Sequence, residues 1–446
     1  MKKKVQFVNS LNEVEADTLI LCHDKIQQDI DQKLGGSLTF NLQRFSLPLW
    51  VTTNQAYHIP RLVLVRGQED VEAFASDKKV AIAVDGIPQE ELAFALLKKN
   101  PAAEELIFLC SDPQGVKQRF QKYEHMLQGI HLAKDIIASP ANLMTPEEVA
   151  KRCLDLQKQD VKVTVLHEEQ LRKVGAHALL AVGQGSPHAS KMVIMEWKGI
   201  DEQPLALVGK GICYDAGGVN LKTSHLNEMK WDKAGAGVVI GIMDIVSRLK
   251  LPMHVVAIAV LAENMPDGKA LKPGDVISSL GGKSIEILDT DCEGRLALAD
   301  GIAYAQKYFS PKTLIDFGTL TLETFGALGG EYAGLFCAHP LLAEQLVQAG
   351  QASGEKLWPL PLGEYYAKQI RSKIADLKNM GVLRYGESSA AAEFLRAFVK
   401  PSLPWAHLDI SGTSWQLDAP EKGVTGFGIE LILHYIFKQL ENGSSI

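Results

Sequence analysis

The residue types best suited to chemistry are concentrated between Asp289 and Asp300, which reads Asp-Thr-Asp-Cys-Glu-Gly-Arg-Leu-Ala-Leu-Ala-Asp. Acids at alternate positions, then Gly294 and Arg295, join a strand-like stretch over 284–288 to a helix-like one over 296–308. Carboxylates at the seam between a sheet edge and a helix suit a cation better than a core. An ordinary acidic turn would look similar, so a second cluster matters. It is Val208-Gly-Lys-Gly-Ile-Cys-Tyr-Asp-Ala-Gly-Gly218, followed by Lys222 and Asp232. There a strand pattern runs into glycines that let backbone approach a ligand closely.

Together these residues suit a pair of divalent cations. Two neighbouring dications need several carboxylates, some of them bridging, to offset their charge. Asp215, Asp232, Asp291 and Glu293 supply that number. A lysine beside such a centre loses its preference for the ammonium form, so Lys210 could serve as a neutral nitrogen ligand. Lys222, held farther off, would stay charged and steady a developing oxyanion. Each residue also has a plain structural reading. Asp232 would N-cap the small-residue helix that begins at Ala234. Lys222 and Arg295 would be solvated, or Arg295 would pair with Asp289.

Several other chemistries lack their signatures. There is no His-Glu-x-x-His, no Gly-x-Ser-x-Gly and no histidine in the acidic cluster. His225 reads as a loop residue, and His23, His58, His125 and His131 stand isolated. The glycine that a P-loop requires is Pro204 ahead of Gly209-Lys210 and Ile277 ahead of Gly282-Lys283-Ser284. Gly281-Gly282 reads instead as a hairpin turn. Counted from Asp289, an EF-hand loop would end on Asp300, where a bidentate Glu is wanted, and its upstream flank alternates like a strand.

A net charge of −7 argues against a nucleic-acid surface. The six cysteines are scattered with no Cys-x-x-Cys pair, which suggests neither a disulfide framework nor a thiolate metal site and fits a reducing cytoplasm. Met1-Lys-Lys-Lys begins like a signal peptide, but Asn9, Asn12 and Glu13 interrupt any apolar core. The longest apolar run, near Val255–Ala262, is too short to span a bilayer. The expectation is a soluble, cytoplasmic protein with no membrane partner.

The elements that must position these residues read as α/β. At 446 residues, two domains are the natural expectation. Over 1–138, apolar runs at Arg61–Val65, Val80–Val84 and Glu105–Cys110 alternate with helical patterns at 89–99 and 116–138. The break at Ser139-Pro140 marks the boundary, and Thr145-Pro146 with Glu148 starts a new helix. Over 139–446, strand patterns at Val161–Leu166, Lys191–Trp197, Leu205–Val208, His254–Leu261, Thr313–Phe317 and His407–Ile410 alternate with helices, implying a central sheet covered on both faces.

Val208-Gly-Lys-Gly-Ile, Asp215-Ala-Gly-Gly, Lys222, Met229-Lys-Trp-Asp232, Asp289-Thr-Asp-Cys-Glu-Gly-Arg-Leu296 and Trp405-Ala-His-Leu-Asp-Ile-Ser-Gly412 resemble the dizinc leucyl (cytosol) aminopeptidase family, from about Leu132 onward. The resemblance implies a catalytic α/β/α domain around a mixed eight-stranded sheet, a smaller macro-like N-terminal α/β domain, and a homohexamer whose sites face an inner cavity. It implies two divalent ions per subunit, Zn²⁺ or Mn²⁺ or else Mg²⁺, on Lys210, Asp215, Asp232, Asp291 and Glu293, with Asp215 and Glu293 bridging. Lys222 and Arg295 fall on its catalytic pair. There a bicarbonate held by the arginine acts as base, and the lysine stabilises the gem-diolate. Peptides with a free N-terminus are the substrates. Met229, Thr319, Leu320, Leu322, Ser411 and Ser414 fall at its substrate pocket.

The chain departs from that pattern in three places. Asp289 stands where Asn is usual. Leu322-Glu323 replaces Gly-Ala at the pocket edge, where a branched leucine should fill space and leave a shallower or more polar pocket. Leu383-Arg-Tyr-Gly-Glu-Ser-Ser389 replaces a glycine-rich segment. A catalytically idle member acting as a binding or regulatory protein, with DNA as the conceivable ligand, is the alternative.

Overall fold

Runs of Val, Ile, Leu and Ala bounded by Gly- and Pro-bearing turns form the strands, as β-branched side chains favour. The computed structural model describes residues 4–8, 18–22, 49–51, 61–65, 79–84, 88–98, 105–381, 385–416, 423–441 and 443. His23 and His58 lie outside the described residues. The chain falls into two compact units, Met1–Leu127 and Gln128–Ile446. Among the described residues no helix is long and apolar enough to cross a membrane.

In the first unit, β1 (Lys4–Val8), β2 (Thr18–Cys22), β3 (Leu49–Val51), β4 (Arg61–Val65), β5 (Lys79–Val84) and β6 (Glu105–Leu109) form one sheet in the order β1-β6-β5-β2-β4-β3. Its pairs are parallel except β3 with β4. Helix Gln89–Lys98 follows the expected pattern, as does helix Pro113–Ala138, which begins in this unit and ends in the second.

The second unit is built on β7 (Lys162–Leu166), β8 (Lys191–Lys198), β9 (Leu205–Asp215), β10 (His254–Asn264), β13 (Thr313–Gly318), β14 (Ala333–Cys337), β15 (Leu357–Pro359) and β17 (Trp405–Asp409). They make a mixed eight-stranded sheet in the order β15-β14-β17-β13-β9-β10-β8-β7. The expected strands are present, and two short ones at the far edge, β14 and β15, complete the set. β9 and β10 are buried almost throughout and read as continuous apolar runs, as strands covered on both faces do. One face packs against helices His177–Gly183, Gly294–Phe309 and Glu387–Arg396 in a continuous core that includes Val208, Ile258, Leu298 and Phe394. Helix Ala234–Arg248 also packs on the sheet, against β9, β10 and β13, with helix Ile429–Glu441 beside it.

β11 (Val276–Ser278) and β12 (Ser284–Glu286), which precede the acidic run, form a small sheet with β16 (Leu377–Lys378). β11 and β12 form the expected hairpin, whose turn holds Gly282 at φ 77°. Thr145 caps the helix Pro146–Leu154, accepting from the Glu148 N–H with Pro146 in the first turn.

Candidate metal centre

The centre forms where parallel strands β9, β10, β13 and β17 end, the edge at which open α/β sheets place their ligands. β9 carries both Lys210 and Asp215. Five residues apart, they would point to opposite faces of a regular strand. A register shift against β10 removes the conflict. Lys210 is opposite Val260, while Asp215 is opposite Asn264, so five steps on β9 match four on its partner. The extra residue of this bulge returns Asp215 to the face of Lys210.

Asp232 comes from the tight helical turn Met229–Lys233 that leads into helix Ala234–Arg248. The plain reading of Asp232 as that helix's cap does not hold. Lys233 occupies the cap, and no side chain closes it. Asp232 is instead buried, its Oδ1 taking the Lys210 ammonium at 2.7 Å and the Thr319 hydroxyl at 2.6 Å. Lys233 ties the turn down by donating to the carbonyls of Ser139 and Lys230, and its burial lowers its pKa to about 8.

Glu293 and Arg295 straddle the start of helix Gly294–Phe309. Gly294 between them is required by packing, because a Cβ there would lie 2.4 Å from Lys210 Cε. Asp291 sits in the preceding loop, where its N–H donates to Asp289 Oδ1 at 2.8 Å. Asp289 therefore shapes the loop rather than pairing with Arg295. Asp300 is no ion ligand either. Its carboxylate accepts the backbone N–H groups of Leu179 and Leu280, and burial raises its pKa to about 7.

The residues singled out for metal converge. Ligand atoms of Asp215, Asp232 and Glu293 lie within 4.8 Å of one another. Lys210 Nζ reaches Glu293 Oε1 at 2.9 Å and donates to the Thr319 carbonyl at 2.7 Å. Lys222, far from being solvated, joins Asp215 Oδ2 at 2.8 Å to Asp291 Oδ1 at 2.5 Å. Asp215 Oδ1 is fixed by the Gly217 N–H and the Asn264 amide, and Asn264 also donates to the Thr290 carbonyl. Gly217 lies at φ 87°, a backbone that L side chains rarely adopt.

The electrostatics call for cations. Burial, reinforced by neighbouring carboxylates, pushes Asp232 well above the usual range, raises Glu293, and lifts Asp291 to about 7. Burial opposes the charge on Lys210 and Lys222, but the surrounding acids outweigh it and hold both ammoniums above their ordinary range. Four carboxylates against two ammoniums leave a net −2 (2 − 4) in a site where most of these groups are buried. Buried charge of that kind is costly unless paired. Asp232 Oδ2 and Glu293 Oε2 are buried with no hydrogen-bond partner. An all-oxygen set with free inward lone pairs, plus two amines, fits a pair of divalent ions.

Arg295 is 1% exposed and is not solvated. Its Nη1 donates to the Asn379 carbonyl and to Glu387 Oε1, both at 2.7 Å.

The expected pocket residues are distributed unequally. Thr319 is buried in the centre itself, and Leu320 follows it, its N–H reaching Asp409 Oδ1 at 3.3 Å. Leu322, at the pocket edge by resemblance, is 84% exposed. Ser411 is buried and donates to Asp409 Oδ1, whereas the buried Ser414 hydroxyl has no partner. Met229 opens the turn that presents Asp232, and the rings of Trp231 and Trp415, 5.3 Å apart, join that turn to the Ser411–Ser414 segment.

Sequence reading passed over Asn264, Thr290, Asn379, Glu387 and Asp409. Asn264, at the end of an apolar run, and Asp409, within the Trp405–Gly412 motif, carried a visible signal. The others act only through partners distant in the chain.

Residues 131–433 match the family model described as "Cytosol aminopeptidase family, catalytic domain". A protein of Rhodopseudomonas palustris (strain TIE-1) named "Probable cytosol aminopeptidase" is 43% identical over 352 residues, 77% of this chain and 70% of that one. A protein of the same name from Syntrophotalea carbinolica is 44% identical over 343 residues, covering 75% of this chain and 68% of its own. Another, from Sinorhizobium fredii, is 44% identical over 322 residues, or 71% and 64%. The motifs, the mixed eight-stranded sheet and these matches agree: the chain belongs to the cytosol aminopeptidase family.

Proposed function

We propose that this chain is a two-metal aminopeptidase that hydrolyses the first peptide bond of peptides with a free N-terminus. The observation that carries the reading is the convergence of Asp215, Asp232 and Glu293 within 4.8 Å, with buried carboxylate oxygens left unpartnered. Lys210, Asp215, Asp232, Asp291 and Glu293 would hold two divalent ions, zinc or manganese by family resemblance. Bound there, the ions supply an acidified water and polarise the scissile carbonyl.

The protein's own part is to position and to balance charge. Lys222, pinned between Asp215 and Asp291, presents an ammonium to the oxygen on which negative charge develops. Thr319 and Asn264 hold the carboxylates of Asp232 and Asp215 in fixed orientation, which preserves the arrangement as charge moves. Thr319, Leu320, Ser411 and Ser414, with Met229 and Leu322, would receive the N-terminal side chain. The serines make that pocket more polar than an all-aliphatic one. By the same resemblance the chain works in the cytoplasm as a homohexamer.

The test is a panel of aminoacyl anilides assayed with zinc, manganese and magnesium in turn. Asp291→Ala and Glu293→Ala should each abolish both metal uptake and turnover. Full activity after chelation, or in either variant, would remove the two-metal reading.

A further inference from the structure

We propose that Asp409 is a positioning residue for the metal centre: it braces the turn after β13 so that Thr319 holds the corner formed by Lys210 and Asp232. The inference rests on the two-metal reading for its ion-binding arm alone. Asp409 ends β17, is 1% exposed, and stands level with Gly318, the last residue of β13. A carboxylate sealed inside a sheet is costly unless its oxygens are hydrogen-bonded. Five donors reach this one, and all five are neutral. Oδ1 accepts the Ser411 hydroxyl at 2.6 Å, the Ser411 N–H at 3.2 Å and the Leu320 N–H at 3.3 Å. Oδ2 accepts the hydroxyls of Thr321 at 2.7 Å and Thr324 at 2.9 Å.

Three of those donors lie in residues 320–324, which leave β13 and enter helix Leu322–Leu328. Thr321 stands at that helix's N-cap, where a threonine hydroxyl ordinarily accepts a first-turn N–H and contributes about 1 kcal/mol. No side-chain cap forms, and the Thr321 hydroxyl donates to Asp409 instead. The turn thus gives up a cap for a tether to β17. Thr319 is held from both sides. Before it the Gly318 carbonyl accepts the Ile410 N–H at 2.9 Å, and after it come the tethered Leu320 and Thr321. The Thr319 hydroxyl donates to Asp232 Oδ1 at 2.6 Å, and its carbonyl accepts from Lys210 Nζ at 2.7 Å. Lys210 in turn joins Asp232 to Glu293, whereas Asp215 and Asp291 meet at Lys222. These contacts of Thr319 fall on the first corner, so Asp409 acts there through Thr319.

Metal-free protein is titrated calorimetrically with Mn²⁺ against a competing chelator, and its amide exchange is followed by mass spectrometry. Wild type should bind two ions in two steps. Asp409→Ala should weaken one step by about tenfold and change the other by less than about twofold. Asp409→Asn should return the weakened step to within about threefold of wild type, because its amide oxygen still accepts from Leu320 and Ser411 while its NH₂ donates to the threonine hydroxyls. Thr319→Val and Asp409→Ala combined should lose little more than the larger single loss, since one residue acts through the other. Without metal, Asp409→Ala should speed exchange over residues 318–324 by about tenfold or more and leave residues 289–296 at wild-type rates. Equal weakening of both steps, additive losses in the double variant, or exchange over 318–324 that is unchanged or rises only with the whole chain would overturn the proposal. If wild type binds no divalent ion, the two-metal reading fails, and the exchange comparison still decides the role of Asp409. If Asp409→Ala does not fold, as judged by circular dichroism, the paired variant Thr321→Val with Thr324→Val takes its place, with the same selective pattern expected at roughly threefold.

Discussion

Two side chains show how finely the centre divides binding from turnover. Lys222 touches Asp215 and Asp291 through its ammonium and has no lone pair to offer while charged. Lys222→Met should therefore bind metal nearly as wild type but lose turnover by about a hundredfold. Atomic absorption and steady-state kinetics check the pair, and an unchanged kcat would remove Lys222 from the chemistry. Thr319 touches the opposite corner, with its hydroxyl on Asp232 Oδ1. Thr319→Val leaves the fold intact but frees that carboxylate to rotate, so metal affinity should fall by roughly tenfold or more. Calorimetric titration reads the difference.

At the scale of elements, the centre depends on close approach between helix Gly294–Phe309 and β9. The contact leaves no room for a Cβ at position 294, because Lys210 Cε and Cδ would lie 2.4 and 2.6 Å away. Gly294→Ala should cost about 1–3 kcal/mol by overpacking and, in displacing Lys210, should weaken metal binding more than it lowers the melting temperature. A variant that melts as wild type and binds metal as wild type would contradict this packing. The β9 bulge makes the same point from the other strand. Without the extra residue Asp215 would face away from Lys210, so the register shift places a ligand that strand periodicity alone would misplace.

Across the second unit, the helix that carries Glu293 and Arg295 also holds a buried acid that does not meet the centre. Asp300 lies about two turns along the helix from Glu293 and anchors that helix by accepting the N–H groups of Leu179 and Leu280. Burial raises its pKa to about 7, whereas an exposed aspartate titrates near 4. Below that lower value both folded and unfolded chains carry the proton. As pH rises from about 4 to about 7 the unfolded chain releases it first, so this group's contribution to stability falls across that window. Asn at this position does not titrate. The melting-temperature advantage of wild type over Asp300→Asn, measured metal-free, should therefore be widest near pH 4 and narrow toward pH 7. A gap independent of pH would contradict the assignment. For the assembly, the family resemblance predicts light-scattering masses near six times the 48.7 kDa chain. A monomer at micromolar concentration would refute it.

Residue types and local periodicity were enough for the α/β class and for candidate metal ligands with their two lysines, and the resemblance of short motifs pointed to the family. Such patterns are local, and the motifs are short ungapped runs in which the chemistry shows directly. Only the folded chain could decide which face Asp215 occupies, because that turns on a register between two strands. The same holds for Asp232, which local pattern assigns equally well to a helix cap until Lys210 and Thr319 arrive from elsewhere in the chain. It holds most of all for Arg295. A cation in a motif does not name its counter-ion, and the acid that the sequence suggested for it, Asp289, turned out to shape a loop, while Glu387 came from 92 residues away. Burial makes such long-range pairing obligatory, and burial is a property of the tertiary structure.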